Sequence, residues 1–150
     1  MPPAVTRILV PTDFSDGADA ALTYALTLAD QVGATVQLVH VFEDPNALSL
    51  YSHVYVPLVP EMRAEILADI RRLLVERANA SGRSNIATEV LTGPAAKTIV
   101  ACATERHCDL IVMGTHGRHG VAHLLMGSVA ERVVRTAACP VLVVPRPATR

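Results

Sequence analysis

A glycine-rich segment, GTHGRHGVAHLLMGS, runs from Gly114 to Ser128 directly after an apolar run. Gly114, Gly117, Gly127 and Ser128 follow the spacing G-x2-G-x9-G-S. Glycines let backbone N–H groups approach anionic oxygens without a Cβ in the way. A helix that begins near Gly127 would aim its unpaired N–H groups at the same oxygens, and the Ser128 hydroxyl would add a donor. The segment is therefore typical of a phosphate-binding loop.

A carboxylate follows the first apolar run of the chain. The run 8–10 ends at Pro11, and the polar stretch from Thr12 to Ser15 is typical of a turn and a helix N-cap. Asp13 is thus either a turn residue or a ligand-binding carboxylate, and its position alone leaves both readings open. The chain has no G-x4-G-K-[ST] motif, and its first strand-to-helix turn has no GxGxxG. Both absences argue against a P-loop NTPase and a dinucleotide-binding enzyme.

Hydrophobic periodicity divides the chain into alternating strands and helices. Short apolar or alternating runs predict five strands, at 8–10, 35–42, 86–91, 110–113 and 141–144. Helical spacing predicts four helices, at 18–32, 60–82, 96–103 and 128–138. With right-handed crossovers this order gives a doubly wound parallel sheet. The connection from Glu43 to Val59 is unusually long, which predicts either a mobile connection or a lid or partner-binding segment.

The composition is that of a compact globule, with 51% apolar and 18% charged residues. A chain of 150 residues predicts one domain, 1–150, with one core. The formal net charge of −1 gives no overall basic field, so we do not expect a nucleic-acid partner. Three cysteines without CxxC spacing fit reduced thiols, and no apolar run reaches about 18 residues. We therefore expect a cytoplasmic protein without a membrane partner.

Several other polar residues have ordinary explanations. His116, His119 and His123 suggest zinc, but no carboxylate or cysteine lies among them, and an exposed loop explains them as well. His40 is interpreted as a packed strand residue. Asp109, at the opposite end of the fourth strand from the glycine-rich segment, is interpreted as structural.

The sequence resembles the universal stress protein family over nearly its whole length. The matching segments are ILVPTDFS, LVHV, DLIVMGTHGR and GSVAERVVRTAACPVLVVP. The resemblance implies a Rossmann-like α/β fold, a doubly wound five-stranded parallel sheet in the order 3-2-1-4-5 with helices on both faces. It also implies a homodimer and the ATP-binding branch of the family, whose glycine spacing is complete here. In that strand order the chain changes direction between strands one and four, where open α/β sheets bind ligands.

The resemblance also implies a role for each residue of an ATP site. Asp13 would contact the ribose, and Val41 would bond adenine through its backbone. The phosphates would be held by Gly114, Gly117, Gly127, Ser128 and Val129. The wall beside Asp13 would consist of Pro11, Thr12 and Met113. Arg118 is either a phosphate contact or a solvated charge, and Mg²⁺ or Mn²⁺ would bridge the phosphates with water as its other ligands.

We therefore expect an ATP-binding stress or signalling module in which nucleotide occupancy changes shape or partner choice. The loop has no carboxylate between Gly114 and Ser128, so efficient hydrolysis is not expected. A slow ATPase or phosphotransferase that uses Ser128 or a loop histidine is one alternative. A nucleotide-free dimeric interaction module is another. The homodimer is expected to form through the apolar edge strand from Val141 to Val144.

Overall fold

A computed structural model describes residues 3–48, 57–116 and 126–146 of the chain. Five strands form one sheet in the order β3-β2-β1-β4-β5. The strands are β1 (Arg7–Pro11), β2 (Thr35–Phe42), β3 (Ala87–Thr92), β4 (Leu110–Gly114) and β5 (Val141–Val144). The helices are α1 (Asp16–Val32), α2 (Pro45–Leu48), α3 (Pro60–Ala80), α4 (Ala95–Glu105) and α5 (Ser128–Thr136). Every strand pair is parallel, so the predicted fold class and strand order are confirmed.

Helix α1 has a side-chain cap at its start and a glycine at its end. The Ser15 hydroxyl accepts a hydrogen bond from the N–H of Ala18 at 3.2 Å, and the helix begins at Asp16. Gly33 ends it in the left-handed conformation with φ 74°, where a side chain would be strained. The predicted helix began two residues later, at Ala18, because capping and not the apolar stripe fixes the first turn.

The sheet separates two hydrophobic cores rather than covering one, which corrects the expectation of a single core. Ile8, Val10 and Leu38 face α1 and α3, where Leu26 and Leu74 cover them. The opposite core lies under α4 and α5 and is formed by Leu9, Val39, Ile99, Ile111 and Val133. Each fully buried aliphatic side chain contributes about 1.5–3 kcal/mol relative to an exposed one. Because strands covered on both faces are apolar at every position, the central strands show no alternation.

The connection that follows β2 is more ordered at its ends than predicted. It contains the short helix α2, and the Asn46 side chain bonds the backbone of Leu58 twice, accepting its N–H at 2.9 Å and donating to its carbonyl at 3.1 Å. Arg63 Nε donates to Asp44 at 2.9 Å. The Asn46 N–H and the Arg63 guanidinium lower the pKa of Asp44. The described ends of the connection are therefore ordered, while residues 49–56 lie outside the described residues and both predicted roles of the connection remain predictions.

Asp109 fixes the amino-terminal edge of the sheet, as the structural interpretation predicted. One carboxylate oxygen accepts hydrogen bonds from the Thr6 N–H at 2.7 Å, the Thr6 hydroxyl at 2.8 Å and the Arg7 N–H at 2.9 Å. The backbone and hydroxyl donors of Thr6, followed by the N–H of Arg7, lower the pKa of Asp109. The carboxylate thereby joins the start of β1 to the start of β4.

All three cysteines of the chain are free thiols. Burial raises the pKa of each, and that of Cys108 rises to about 11. A thiol with such a pKa stays protonated at neutral pH and is a poor nucleophile.

Within the described ranges, no helix is both long and apolar enough to cross a membrane.

Candidate nucleotide site at the carboxyl edge of the sheet

The predicted site residues converge where the carboxyl ends of β1, β2 and β4 meet. Pro11 ends β1 and pairs with Val39 of β2, so the residues that follow, Thr12 and Asp13, lie beside the end of β2. Gly114 ends β4, and α5 begins at Ser128. The strand order places β1 between β2 and β4. The connections that leave β1 and β4 at this edge therefore run to opposite sides, one to β2 and the other to β5. This is the position at which open α/β sheets bind ligands.

A compact turn after β1 presents Asp13. The buried Thr12 extends the ladder by donating its N–H to the Val39 carbonyl at 2.8 Å. Its hydroxyl accepts the N–H of Phe14 at 3.0 Å, and Asp13 Oδ1 accepts the N–H of Ser15 at 3.0 Å. Asp13 is therefore a turn residue, as one of the two readings proposed. Its half-buried position at this edge is also compatible with the second reading, a ligand-binding carboxylate.

Phe14 holds an unusual backbone conformation within that turn. Its φ is 65°, in the left-handed region, which costs a residue with a Cβ about 1–2 kcal/mol. Its ring stacks on the imidazole of His40, with centroids 4.8 Å apart and planes 30° apart. His40 Nδ1 also lies 2.7 Å from the Thr12 carbonyl oxygen. His40 is a packed strand residue, as interpreted, and its ring contacts the turn at two points.

The end of β4 lies against the first turn of α1 through two glycines. A Cβ built on Gly114 would lie 3.1 Å from the carbonyl carbon and the carbonyl oxygen of Gly17. A Cβ at 114 would be tighter than most real contacts, so any other residue there would require the first turn of α1 to move by a few tenths of an ångström. The requirement is for close packing between β4 and α1, which is independent of any ligand.

The start of α5 differs from the starts of α1 and α4. Ser15 caps α1, and Glu43 Oε1 caps α4 by accepting the N–H of Ala95 at 2.7 Å. The N-cap of α5 is Gly127, which has no side chain to accept a first-turn N–H. Helix α3 also lacks a side-chain cap, since its N-cap is Val59, but Pro60 at its first position has no N–H to satisfy. The amino terminus of α5 thus has a backbone donor set and a partial positive charge suited to an anion.

Both ends of the glycine-rich segment meet above β4. The Gly127 N–H donates to the Thr115 carbonyl at 2.6 Å, which places the start of α5 directly beside the end of β4. Ser128 and Val129 are exposed there, with Val129 37% accessible. Gly117 and Arg118 lie outside the described residues, as do His119 and His123. The structure therefore assembles the first glycine and the final Gly-Ser-Val of the motif.

Val41 and Met113 occupy the opposite face from His40. Met113 is 6% exposed and belongs to the core under α4 and α5, against which the half-buried Val41 also packs. Both residues lie near the carboxyl ends of their strands, so they can form the apolar floor of a site at this edge.

Sequence reasoning did not find the cap from Glu43 or the contacts of His40, because each joins residues that are distant in sequence.

Among the described residues, two of the cavities lie away from the predicted site. One of about 410 Å³ lies at the amino edge beside Arg7, Arg106 and Cys108, and one of about 360 Å³ lies between α1 and α3. Neither includes a residue of the predicted site. Residues 117–125 of the glycine-rich segment lie outside the described part of the chain. The described residues contain no cluster of three or more metal-ligating side chains.

The fold and the motif identify the class of protein. The model of the Universal stress protein family matches residues 4–145, and the chain belongs to that family. Universal stress protein MJ0531 of Methanocaldococcus jannaschii is 37% identical over 141 residues, which cover 94% of this chain and 82% of the relative.

Solved structures of the same family share the architecture. The chain is similar to MJ0577 of Methanocaldococcus jannaschii, with a TM-score of 0.81 and 26% identity over 98% of this chain and 100% of the other. It is also similar to a universal stress protein solved in complex with cAMP, with a TM-score of 0.67 and 27% identity over 97% and 100% of the two chains. That second relative binds an adenine nucleotide.

Proposed function

We propose that this chain binds ATP at the carboxyl edge of its sheet and acts as a nucleotide-dependent stress or signalling module. The observation that carries the proposal is the start of α5, where Gly127 supplies no cap and is held against Thr115 at the end of β4. A negatively charged phosphate is the ligand that an uncapped helix N-terminus favours. The cAMP complex of a relative supports an adenine nucleotide as the ligand.

The phosphate end of the site would consist of α5 and the glycine-rich segment. The backbone N–H groups of Ser128 and Val129 lie in the first turn, and the Ser128 hydroxyl adds a donor. Gly114 holds the strand end close to α1, while Gly117 and Arg118 complete the proposed phosphate contacts. Mg²⁺ or Mn²⁺ would neutralise charge between the phosphates, with water as its remaining ligands.

The nucleoside end would lie across β1 and β2. Asp13 follows β1 and would accept hydrogen bonds from the ribose hydroxyls, because an ionised carboxylate is an acceptor only. Val41 lies next to the end of β2 and would offer its backbone to the adenine edge. Pro11, Thr12 and Met113 would form the wall, and all three are buried.

The site favours nucleotide retention over efficient hydrolysis. No carboxylate lies between Gly114 and Ser128 to orient an attacking water, and Glu43 is occupied as the cap of α4. Turnover well below the ~10 s⁻¹ median of enzymes is expected. Phosphate release assayed with magnesium and with manganese measures it, and a rate near that median would favour the alternative of an ATPase or phosphotransferase.

Mass spectrometry of the ligand released from freshly purified protein tests the proposal directly. An adenine nucleotide at near-stoichiometric amounts is expected, and calorimetric titration of the emptied protein should then show binding of ATP. A preparation that releases no nucleotide and gives no heat with ATP, ADP or cyclic AMP would favour the nucleotide-free interaction module.

We infer that a homodimer forms through β5. This strand ends the sheet, and Val141–Val144 carries no charge. The Ile111 N–H donates to the Pro140 carbonyl, so in a parallel ladder the N–H and C=O of Leu142 face β4 and those of Val143 face outward. The outward groups are available to the same strand of a second copy about a two-fold axis.

Proline substitutions at neighbouring positions test the dimer. Val143→Pro removes an outward N–H and should give a folded monomer, whereas Leu142→Pro removes an inward one and should impair folding. Sedimentation velocity and circular dichroism separate the two results. A parent protein that is already monomeric, or a Val143→Pro variant that stays dimeric, would exclude this interface.

The protein chemistry also favours a reducing compartment and a single domain. Three free cysteines, two of them buried, fit the reduced thiols of a cytoplasm. The two cores share one sheet, which supports a single nucleotide-binding domain over the chain.

A further inference from the structure

The imidazole of His40 makes two contacts with the turn that carries Asp13. His40 Nδ1 lies 2.7 Å from the carbonyl oxygen of Thr12, and the ring stacks on Phe14 at 4.8 Å. Thr12 and Phe14 are the neighbours of Asp13 on either side. A single side chain of β2 therefore holds the residues before and after the proposed ribose ligand.

The hydrogen bond fixes the protonation of one ring nitrogen. A carbonyl oxygen only accepts hydrogen bonds, so Nδ1 must carry a hydrogen and donate it. The Thr12 N–H already donates to Val39 at 2.8 Å. The backbone of Thr12 is thus bound to β2 through both its N–H and its C=O, the second by a side chain.

The stacking contact acts on the strained residue of the turn. Phe14 has φ 65°, which a residue with a Cβ adopts only when its surroundings hold it there. The His40 ring covers the Phe14 ring in that conformation. In it, the Phe14 N–H reaches the Thr12 hydroxyl and the Ser15 N–H reaches Asp13 Oδ1, both at 3.0 Å.

We propose that His40 is the positioning residue for Asp13, and so sets nucleoside affinity without touching the nucleotide. The role rests on the proposed function, because it matters for binding only if Asp13 contacts a ribose. Its structural part, that the ring holds the turn from Thr12 to Ser15, does not depend on any ligand.

Three variants separate the two contacts of the ring. His40→Ala removes both. His40→Asn keeps a side-chain N–H near the position of Nδ1 but removes the stacking, and His40→Phe keeps an aromatic ring but removes the donor. We expect about tenfold weaker binding of ATP and of adenosine in His40→Ala, with smaller losses in the other two variants.

Two measurements are needed, one with nucleotide and one without. Hydrogen exchange of the Phe14 and Ser15 amides in the nucleotide-free protein should accelerate in His40→Ala. Calorimetry of a double-variant cycle should show that His40→Ala adds no further loss of affinity to Asp13→Ala, because both act through one carboxylate. If His40→Ala does not fold, the Asn and Phe variants carry the same comparison.

The outcomes distinguish this proposal from the proposed function. Unchanged exchange of both amides in a folded His40→Ala variant would overturn it, and so would independent, additive losses in the double-variant cycle. A parent protein that binds no nucleotide would overturn the proposed function and the binding role of His40. Faster exchange in that case would still support the structural part.

Discussion

The two edges of the sheet use aspartate in different ways. At the amino edge, one oxygen of Asp109 accepts three hydrogen bonds from Thr6 and Arg7, and the Arg7 guanidinium donates to the Arg106 carbonyl at 2.9 Å. These contacts join one segment of the chain to another. At the carboxyl edge, Asp13 forms a local turn while α5 begins at a glycine that supplies no acceptor.

Under the proposed function, the amino edge serves stability and the carboxyl edge serves binding. At the amino edge, the N–H groups of Thr6 and Arg7 and the Thr6 hydroxyl are satisfied by the Asp109 carboxylate. Donors in the first turn of α5 have no acceptor from the side chain of their N-cap residue, and in the proposed function a phosphate would accept from them. Two aspartates at opposite ends of adjacent strands are therefore expected to respond to different perturbations.

The largest effect is expected from Gly127→Leu, which should weaken ATP binding by more than about 100-fold. A branched side chain at the N-cap would occupy the approach of the phosphate. The φ of Gly127 is −73°, which any residue adopts, so the fold should be retained. Calorimetry with circular dichroism checks both points, with Val134→Leu on the exposed face of α5 as the matched control. Unchanged affinity in the folded Gly127→Leu protein would remove α5 from the site.

Exchanging the two aspartates for alanine should sharpen the comparison. Asp13→Ala should weaken adenosine and ATP to a similar extent, about tenfold, because the ribose contact is common to both. Asp109→Ala should leave both affinities within about twofold while lowering the unfolding midpoint. A loss for ATP alone would indicate that Asp13 acts through metal or phosphate.

Glu43 offers a smaller test, since it is a carboxylate at the carboxyl edge with a structural use. Glu43→Ala should destabilise the protein by about 1 kcal/mol through loss of the α4 cap, which lowers the unfolding midpoint by a few degrees. Glu43→Gln keeps an acceptor oxygen and should retain most of that stability. A matched loss in both variants would mean that charge, and not the hydrogen bond to Ala95, is what the helix requires.

The smallest effect concerns acid. The folded-state pKa of Asp109 is lowered from its ordinary value of 3.8, so its contribution to stability is complete above 3.8 and is lost as the pH falls through the folded pKa. The stability difference between the parent and Asp109→Asn should therefore shrink below about pH 4. Urea unfolding at several pH values measures it, and a constant difference would contradict the assigned hydrogen bonds.

The sequence predicts the elements well where burial decides them. The unbroken apolar runs at Ile8 and Leu110 and the stripe of α1 follow directly from covering a sheet on both faces. Gly33 and Ser15 mark the ends of α1 by local chemistry. The strand order and the ribose role of Asp13 came from the family resemblance, since spacing alone does not pair distant strands.

Other features lie beyond sequence reasoning because they depend on contacts between separate segments. Nothing local to Phe14 predicts its left-handed backbone, and its ring stacks on an imidazole 26 positions later. The clamp between Asn46 and Leu58 and the cap from Glu43 to Ala95 likewise require the folded chain to be known.

The central position of β1 has a consequence for synthesis on the ribosome. Its partner β4 follows it by about a hundred residues, and the bond from Thr6 to Asp109 spans 103 positions. At translation rates of roughly 5–20 residues per second, one side of β1 waits about 5–20 s for that partner. During this interval a nascent chain exposes an unpaired apolar strand of the kind that promotes association between chains. The first strand made is thus among the last to be enclosed, and chaperone binding to ribosome-bound chains that stop before Leu110 is the expected sign of it.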